Sequence, residues 1–248
     1  MKQYTKHLML SYLMAITTAE WLLTYVDVVY GLLLHSAVFI TTVLIYWRNW
    51  SKFTLNGSMV LLSFSYVSLS RLVSVSILGE IQDVIPVIVF TNAPLLICLF
   101  GCIRSVGISL MDFFPSWRYL PRELIIALTG IIFGLTERHI IDVTVIPWTG
   151  LPSFIFSAIT ITLLTGLYEE LLFRGIVFKY LADVGSKWFA VFYSSLLFAV
   201  MHIAWESFID IVFVFTVGAI YALIYYRTKS LAGIILSHGI TNIILFMP

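Results

Sequence analysis

Two carboxylates and one guanidinium interrupt a long apolar run in the second half of the chain, in the segment YEELLFR at positions 168–174. Ionisable side chains inside a membrane are costly, so they usually face a bundle interior or a wet cavity and mark a functional site. At helical spacing, Glu170 and Arg174 are an i,i+4 pair on one face, whereas Glu169 is rotated from Glu170 by about 100°. We therefore predict that Glu170 and Arg174 form a structural pair and that Glu169 is available for chemistry.

Two later stretches carry polar residues that match this segment. Phe198 and His202 are four residues apart in one apolar run, and His238 and Asn242 are four residues apart in another. Residues at this spacing lie on one face of a helix. We therefore expect a glutamate, two histidines and an asparagine to converge in the fold.

Hydrolysis of a peptide bond inside a membrane needs an activated water, a base to take its proton and donors for the developing oxyanion. A carboxylate that is partly removed from water is a better base near neutral pH, which suits Glu169. His202 would share that water, orient it and later pass a proton to the leaving amine. The pattern therefore predicts Glu169 and His202 as the pair that activates water.

The other residues of the three motifs would complete the reaction centre. His238 and Asn242 lie on one helical face, and side-chain donors of this kind form oxyanion holes worth about 2.7–4 kcal/mol per donor. Glu170 and Arg174 would lock their helix, and Phe198 would pack beside the site and help to exclude water. We predict His238 and Asn242 as catalytic residues. The other three residues, Glu170, Arg174 and Phe198, are predicted to be structural support of the site.

The other ionisable residues inside apolar runs have a structural interpretation. Glu20 and Arg71 fall at similar depth in the first and third apolar runs, which predicts a buried ion pair between them. His7, His35 and His139 are not part of motifs like the three above. We interpret these three histidines as structural.

Composition places the chain in a membrane. Of its 248 residues, 60% are hydrophobic and 11% are charged, with a mean hydropathy of +1.02. One soluble core could not bury this much apolar surface, so we predict an all-α, polytopic transmembrane helix bundle. The formal net charge is +1 and no basic stripe is present, which argues against nucleic acid as a partner.

Apolar runs close to the roughly 20 residues that span a membrane occur nine times. They cover about residues 8–26, 28–47, 56–78, 84–103, 122–141, 152–181, 187–205, 208–227 and 231–247. The sixth run is long, which predicts a tilted helix or one that extends beyond the membrane. We therefore expect eight or nine membrane-spanning helices.

Lys and Arg residues are distributed unevenly between the predicted loops. With the N-terminus inside, the inner loops hold eleven of them, from Lys2 to Lys229, and the outer loops hold only Arg138. Lys and Arg collect in cytoplasmic loops. We therefore predict a cytoplasmic N-terminus and a multi-pass protein of a prokaryotic plasma membrane.

Taken together and in this order, the three motifs resemble those of the CAAX-protease and bacteriocin-processing family, also called the Abi family. Its members are intramembrane endopeptidases related to the type II CAAX prenyl endopeptidase. The resemblance covers about residues 122–248 and does not extend to the first four runs. We therefore expect a catalytic transmembrane domain at 122–248 and accessory helices at 1–121.

The resemblance implies a helical bundle with a conical active-site cavity open to the cytosol, and cleavage by a glutamate-activated water without a cofactor. In the family pattern, the residues that match Glu169 and His202 activate water, and those that match His238 and Asn242 stabilise the oxyanion. Family members trim prenylated C-terminal tails, process bacteriocin-like peptides or confer immunity to them, or act on membrane-protein sorting signals. The implied partners are membrane lipid and a membrane-associated peptide or prenylated protein.

Two other functions fit the same residues. A zinc-dependent intramembrane metalloprotease would bind its metal through Glu169, His202 and His238, since two histidines and a glutamate make a catalytic zinc set. No His-Glu-x-x-His motif supports it, and neither histidine has an acid four residues before it, because Phe198 and Ile234 occupy those positions. A non-catalytic transporter or bacteriocin-immunity protein would use the polar groups to line a conduction path. Inverted repeats would support that function, and none is visible in the sequence.

Overall fold

The computed structural model describes residues 3–49, 55–78, 83–105, 107–114, 116–143 and 145–248. These residues contain no strand, and their longer helical elements number nine, which confirms the all-α prediction. We number them α1 (Gln3–Tyr25), α2 (Val28–Asn49), α3 (Leu55–Leu78), α4 (Val84–Ser105), α5 (Leu120–Ile140), α6 (Leu151–Asp183), α7 (Lys187–Val200), α8 (Phe208–Thr228) and α9 (Ala232–Leu245).

Most of these helices are long and apolar enough to cross a membrane. Judged by length and composition, six stretches of the described residues qualify: Val28–Arg48, Gly57–Ile77, Val84–Ser105, Leu110–Ile140, Leu151–Asp183 and Phe208–Thr228. Helices α7 and α9 are apolar but have only 14 residues each, so they are about 21 Å long. The protein is therefore a multi-pass integral membrane protein, as its composition predicts.

Helix α7 ends earlier than the predicted apolar run, which continues to residue 205. The α-helix stops at Val200, and His202 lies in the turn that follows. His202 donates its backbone N–H to Ala199, three residues back, while its ring nitrogen Nδ1 lies 3.0 Å from the carbonyl oxygen of Phe198. The carbonyl of Phe198 therefore meets the backbone N–H of Met201 and the His202 ring, instead of the backbone N–H of His202.

Helix α6 is unusually wide on both sides of its charged segment. It is π-helical over Ile161–Leu167 and again over Leu171–Phe178, with one short α-helical turn, Tyr168–Glu170, between them. Stretches with i→i+5 hydrogen bonds are rare, and they occur frequently at functional sites. The backbone therefore departs from regular α-helix at the segment that the sequence singles out.

The chain forms two compact units. The first comprises Met1–Val75 and Ile176–Ala222, and the second comprises Ser76–Gly175 and Leu223–Pro248. Each unit takes residues from both sides of position 121. The predicted division into accessory helices (1–121) and a catalytic domain (122–248) is a division by function, and it stays a prediction.

In the first unit, α1 packs against α2, α7 and the turn Ile203–Trp205. The hydroxyl of Tyr12 donates to the carbonyl of Phe64 at 2.8 Å, and the two rings stack with centroids 3.8 Å apart. The hydroxyl of Tyr193 in α7 donates to the carbonyl of Met9 at 2.8 Å. Buried tyrosines thus join α1 to α3 and to α7.

The first unit also contains the predicted ion pair. Nε of Arg71 lies 2.7 Å from Oε1 of the fully buried Glu20. His35 is buried beside them, with Nε2 at 3.2 Å from the same oxygen. His35 thus lies beside an ion pair whose members come from two other helices, a contact that the sequence did not predict.

In the second unit, α9 packs closely between α5 and α6. A side chain at Gly130 of α5 would overlap the carbonyl oxygen of Ser237, and one at Gly134 would lie 2.8 Å from the carbonyl oxygen of Thr241. On the other side of α9, a side chain at Gly239 would overlap Thr162 of α6. Glycine at these positions therefore allows the helix backbones to approach.

Candidate active site

The charged segment of α6 contains the predicted i,i+4 pair. Nη1 of Arg174 lies 2.8 Å from Oε1 of Glu170, and both side chains are essentially inaccessible to solvent. A buried arginine needs an ionised partner, because an unpaired charge in this environment costs several kcal/mol. Glu170 is therefore a carboxylate with a fixed partner on its own helix.

Glu170 also binds a histidine from α9. Nδ1 of His238 lies 2.7 Å from the same Oε1 that accepts from Arg174. Because an ionised carboxylate can only accept hydrogen bonds, Nδ1 of His238 carries the proton in this contact. The hydrogen bond fixes the ring of His238 and turns its other nitrogen, Nε2, toward Glu169.

Glu169 lies next to this buried chain of contacts but is not enclosed by it. Its Oε2 is 3.6 Å from Nε2 of His238, and its side chain is 25% exposed, whereas that of Glu170 is 0% exposed. At 3.6 Å the two atoms are too far apart for a good direct hydrogen bond. The two adjacent acids thus differ in the way the sequence predicts, with one locked and the other accessible.

Asn242 lies one turn after His238 on α9 and is partly buried. Its backbone carbonyl accepts from Phe246 at the end of the helix. The helix therefore places the side chains of His238 and Asn242 on one face, as their spacing predicts. Their roles as oxyanion donors remain predictions.

The start of α9 is held by a residue that the sequence analysis missed. Oε2 of Glu123 accepts from the backbone N–H of Gly233 at 2.7 Å and from the hydroxyl of Ser230 at 3.0 Å. Arg122 pairs with the other oxygen of this buried carboxylate. Glu123 therefore satisfies one backbone donor at a helix N-terminus, where a negative charge is favourable. The sequence signal that could have identified Glu123 is its position as an acid at the start of the predicted apolar run 122–141.

The second motif belongs to the first unit. The rings of Phe198 and His202 meet edge to face, with centroids 4.8 Å apart and an interplanar angle of 65°. Since a backbone carbonyl only accepts, the 3.0 Å contact between Nδ1 of His202 and the carbonyl oxygen of Phe198 places a proton on Nδ1. Nε2 of a neutral His202 ring then carries the lone pair.

Part of the alternative zinc set has metal-compatible geometry. Ligand atoms of a tetrahedral zinc, at about 2.0–2.2 Å from the metal, lie somewhat over 3 Å from one another, and Glu169 and His238 are separated by 3.6 Å. Metal-bound histidines usually donate their other ring N–H to a carboxylate or carbonyl, and His238 donates to Glu170. The sequence has no acid one turn before either histidine, so such a partner had to come from another helix, and for His238 it comes from α6.

Comparison with known proteins finds a family match for part of the chain. Residues 151–244, from the first residue of α6 nearly to the end of α9, match the family model described as Type II CAAX prenyl endopeptidase Rce1-like. No curated protein and no solved structure matches the chain significantly. The matched residues include all three motifs, so the family resemblance inferred from the motifs is confirmed.

Proposed function

Residues 151–244 belong to the type II CAAX prenyl endopeptidase Rce1-like family, and from this premise we propose an intramembrane endopeptidase. It hydrolyses a peptide bond of a membrane-associated or lipidated substrate, with CAAX-type C-terminal processing as the specific reaction. A water activated by Glu169 and His202 is the nucleophile. The proposed reaction uses no metal ion.

The observation that carries this proposal is the continuous series of contacts Arg174–Glu170–His238–Glu169. Its first three members are buried and hold one another, while the last is partly exposed. A general base has to be within reach of substrate and yet held in place. Glu169 is partly exposed and lies beside the fixed ring of His238, which supports it as the base.

The role of His238 as an oxyanion donor requires a doubly protonated ring. Its Nδ1 proton points to Glu170, so a neutral ring has only a lone pair at Nε2 and cannot donate there. Glu169 and Glu170 supply the counter-charges for a protonated ring. Asn242 adds a neutral amide donor one turn away, and together the two donors suit the charge that develops on a substrate carbonyl.

Purified protein in lipid nanodiscs tests the proposal against a prenylated CAAX peptide, its unprenylated copy and a panel of membrane-associated peptides. We expect wild type to cleave at least one of them. We expect Glu169→Gln to remove turnover while its thermal unfolding remains that of wild type. Asp142→Asn, which neutralises an exposed acid, is the matched control and keeps full activity.

Two outcomes would contradict the proposal at different levels. A wild type that cleaves none of the peptides argues against an endopeptidase. A Glu169→Gln variant with wild-type turnover removes Glu169 as the base. Equal cleavage of the prenylated peptide and its unprenylated copy rejects the CAAX-type substrate and leaves endopeptidase activity in place.

Zinc-dependent hydrolysis is a second candidate, and the Glu170–His238 hydrogen bond specifically favours it. That bond places a carboxylate behind a candidate ligand, as in many zinc sites. Glu169, His202 and His238 would hold the metal, which would supply Lewis acidity and a more acidic bound water. We prefer the metal-free mechanism because a glutamate and a histidine that share a water need only hydrogen-bond reach.

Chelation separates the two mechanisms. The metal-free mechanism predicts that activity survives exhaustive treatment with a strong zinc chelator and that elemental analysis finds well under one equivalent of metal. Stoichiometric zinc that is lost in Glu169→Ala or His202→Ala, together with activity that zinc restores to chelated wild type, would instead establish the metalloprotease.

A further inference from the structure

Arg71 connects the N-terminal helices to the turn that carries His202. Its Nε donates to Oε1 of Glu20 at 2.7 Å, and its Nη2 donates to the backbone carbonyl of Met201 at 2.6 Å. The Arg71 side chain is 14% exposed and that of Glu20 is fully buried. One guanidinium in α3 thus joins a carboxylate in α1 to the residue immediately before His202.

The Met201 carbonyl belongs to a helix end where few donors are available. The last carbonyls of a helix have no intrahelical partner, and the membrane interior supplies no water to satisfy them. Phe198 and Ala199 accept from the turn itself, through Met201 and His202. Met201 instead accepts from Arg71, whose positive charge also suits the C-terminal end of a helix.

The guanidinium is itself held in a defined orientation. Its planar donors form a rigid fork, and Glu20 fixes one side of that fork. His35 lies 3.2 Å from the same Glu20 oxygen. Residues from α1, α2 and α3 therefore contribute to the position of one carbonyl at the end of α7.

We propose that Arg71 is a positioning residue for His202. Arg71 fixes the Met201 carbonyl and thereby holds the turn that contains His202. In this turn the Nδ1–H of the His202 ring donates to the carbonyl of Phe198, which leaves Nε2 available to bind the water. This role rests on the proposed function of His202, and it gives the accessory helices a part in the reaction. Arg71 acts through the backbone and need not touch substrate.

Kinetic measurements on Arg71 variants provide the first test. Displacement of a catalytic group by about 1 Å can cost on the order of 100-fold in rate. We therefore expect Arg71→Gln to lower kcat by on the order of 10- to 100-fold and to change KM by less than about twofold. Arg71→Lys should lie between this variant and wild type, because a single ammonium lacks the planar fork.

A matched control separates positioning from general loss of packing. Ser65→Ala removes the buried hydrogen bond between the hydroxyls of Ser65 and Thr42, which joins α3 to α2 at 2.9 Å. It should leave kcat unchanged. In a His202→Ala background, Arg71→Gln should add no more than about a twofold loss in residual activity. Fully multiplicative losses would overturn the proposal, because Arg71 would then act independently of His202.

The second test does not depend on activity. Ring-nitrogen NMR of ¹⁵N-histidine protein, with the His202 signals assigned by their absence in His202→Gln, reports the tautomer of this ring. We expect Arg71→Gln and, more weakly, Arg71→Lys to shift the His202 signals, and Ser65→Ala to leave them in place. His202 signals that are unchanged in folded Arg71→Lys and Arg71→Gln would overturn the proposal even if no peptide were cleaved. A failure of the proposed function would appear separately, as missing wild-type cleavage with shifted signals.

Discussion

At the residue scale, one oxygen atom accepts hydrogen bonds from two residues of the candidate site. Oε1 of Glu170 accepts from Arg174 of its own helix and from His238 of α9. Charge-assisted hydrogen bonds of this kind are among the stronger contacts in proteins. The orientation of the His238 ring therefore depends on Glu170, which we predict to be structural support of the site.

We expect Glu170→Gln to lower both stability and activity. The amide leaves Arg174 without its anion and His238 without a carboxylate acceptor. Breaking a buried ion pair on one side costs about 3–5 kcal/mol. Thermal unfolding in detergent and peptide cleavage measure the two effects, and Asp142→Asn is the control for loss of one exposed negative charge. Wild-type stability together with full activity in Glu170→Gln would refute this role.

At the scale of elements, α9 is positioned by contacts along its whole length. Glu123 satisfies donors at its start, and the carbonyl of Phe113 accepts from Leu231 just before it. Gly130 and Gly134, one turn apart on α5, then admit its backbone at close range. Small residues at this spacing are typical of close helix pairs in membranes. The position of His238 thus follows from packing rather than from its own neighbours in sequence.

Gly130→Ala should therefore disturb the site from a distance. The new methyl group would overlap the Ser237 carbonyl oxygen, and overpacking of this kind costs about 1–3 kcal/mol. We expect a lower unfolding temperature and reduced turnover. Gly101→Ala in α4 is the matched control, because a methyl group there has no atom within 4 Å. Equal behaviour of the two variants would show that α5 and α9 do not need this close approach.

The sequence predicted the features of this site that lie within one helix. The Glu170–Arg174 pair follows from i,i+4 spacing alone, and so does the contact between Phe198 and His202. The bond between Glu170 and His238 joins residues 68 positions apart, and its existence depends on how α9 packs on α6. The end of α7 at Val200 could not be predicted either, because no glycine or proline marks it.

At the scale of the whole molecule, the candidate residues are divided between two compact units. The first unit holds Phe198 and His202, and the second holds Glu169, His238 and Asn242. Sequence motifs could identify these residues because their types and spacing are local properties. The contact between α3 and the second motif could not be predicted, because Arg71 reaches that motif through a backbone carbonyl, that of Met201.

The orientation in the membrane is predicted from the distribution of Lys and Arg. Lys52 lies outside the described residues, but Arg118 and Lys229 are exposed in the structure. We expect single cysteines at 118 and 229, in a background with Cys98 and Cys102 replaced by serine, to resist a membrane-impermeant maleimide on intact cells. A cysteine at Asp142 should react, as the outer-side control. Labelling of position 118 or 229 from outside would overturn the predicted topology.

The widened backbone around the charged segment makes the number of residues in α6 as important as their identity. An i→i+5 hydrogen bond spans one residue more than the i→i+4 bond of a regular α-helix. Deleting a single residue within Leu171–Phe178 would allow ordinary bonding to return, and the residues inside this stretch, Arg174 among them, would then point in other directions relative to the turns beside them. A chain could therefore keep every charged residue of this segment and still lose the arrangement, so alignments between such proteins must treat a one-residue gap here as a functional difference.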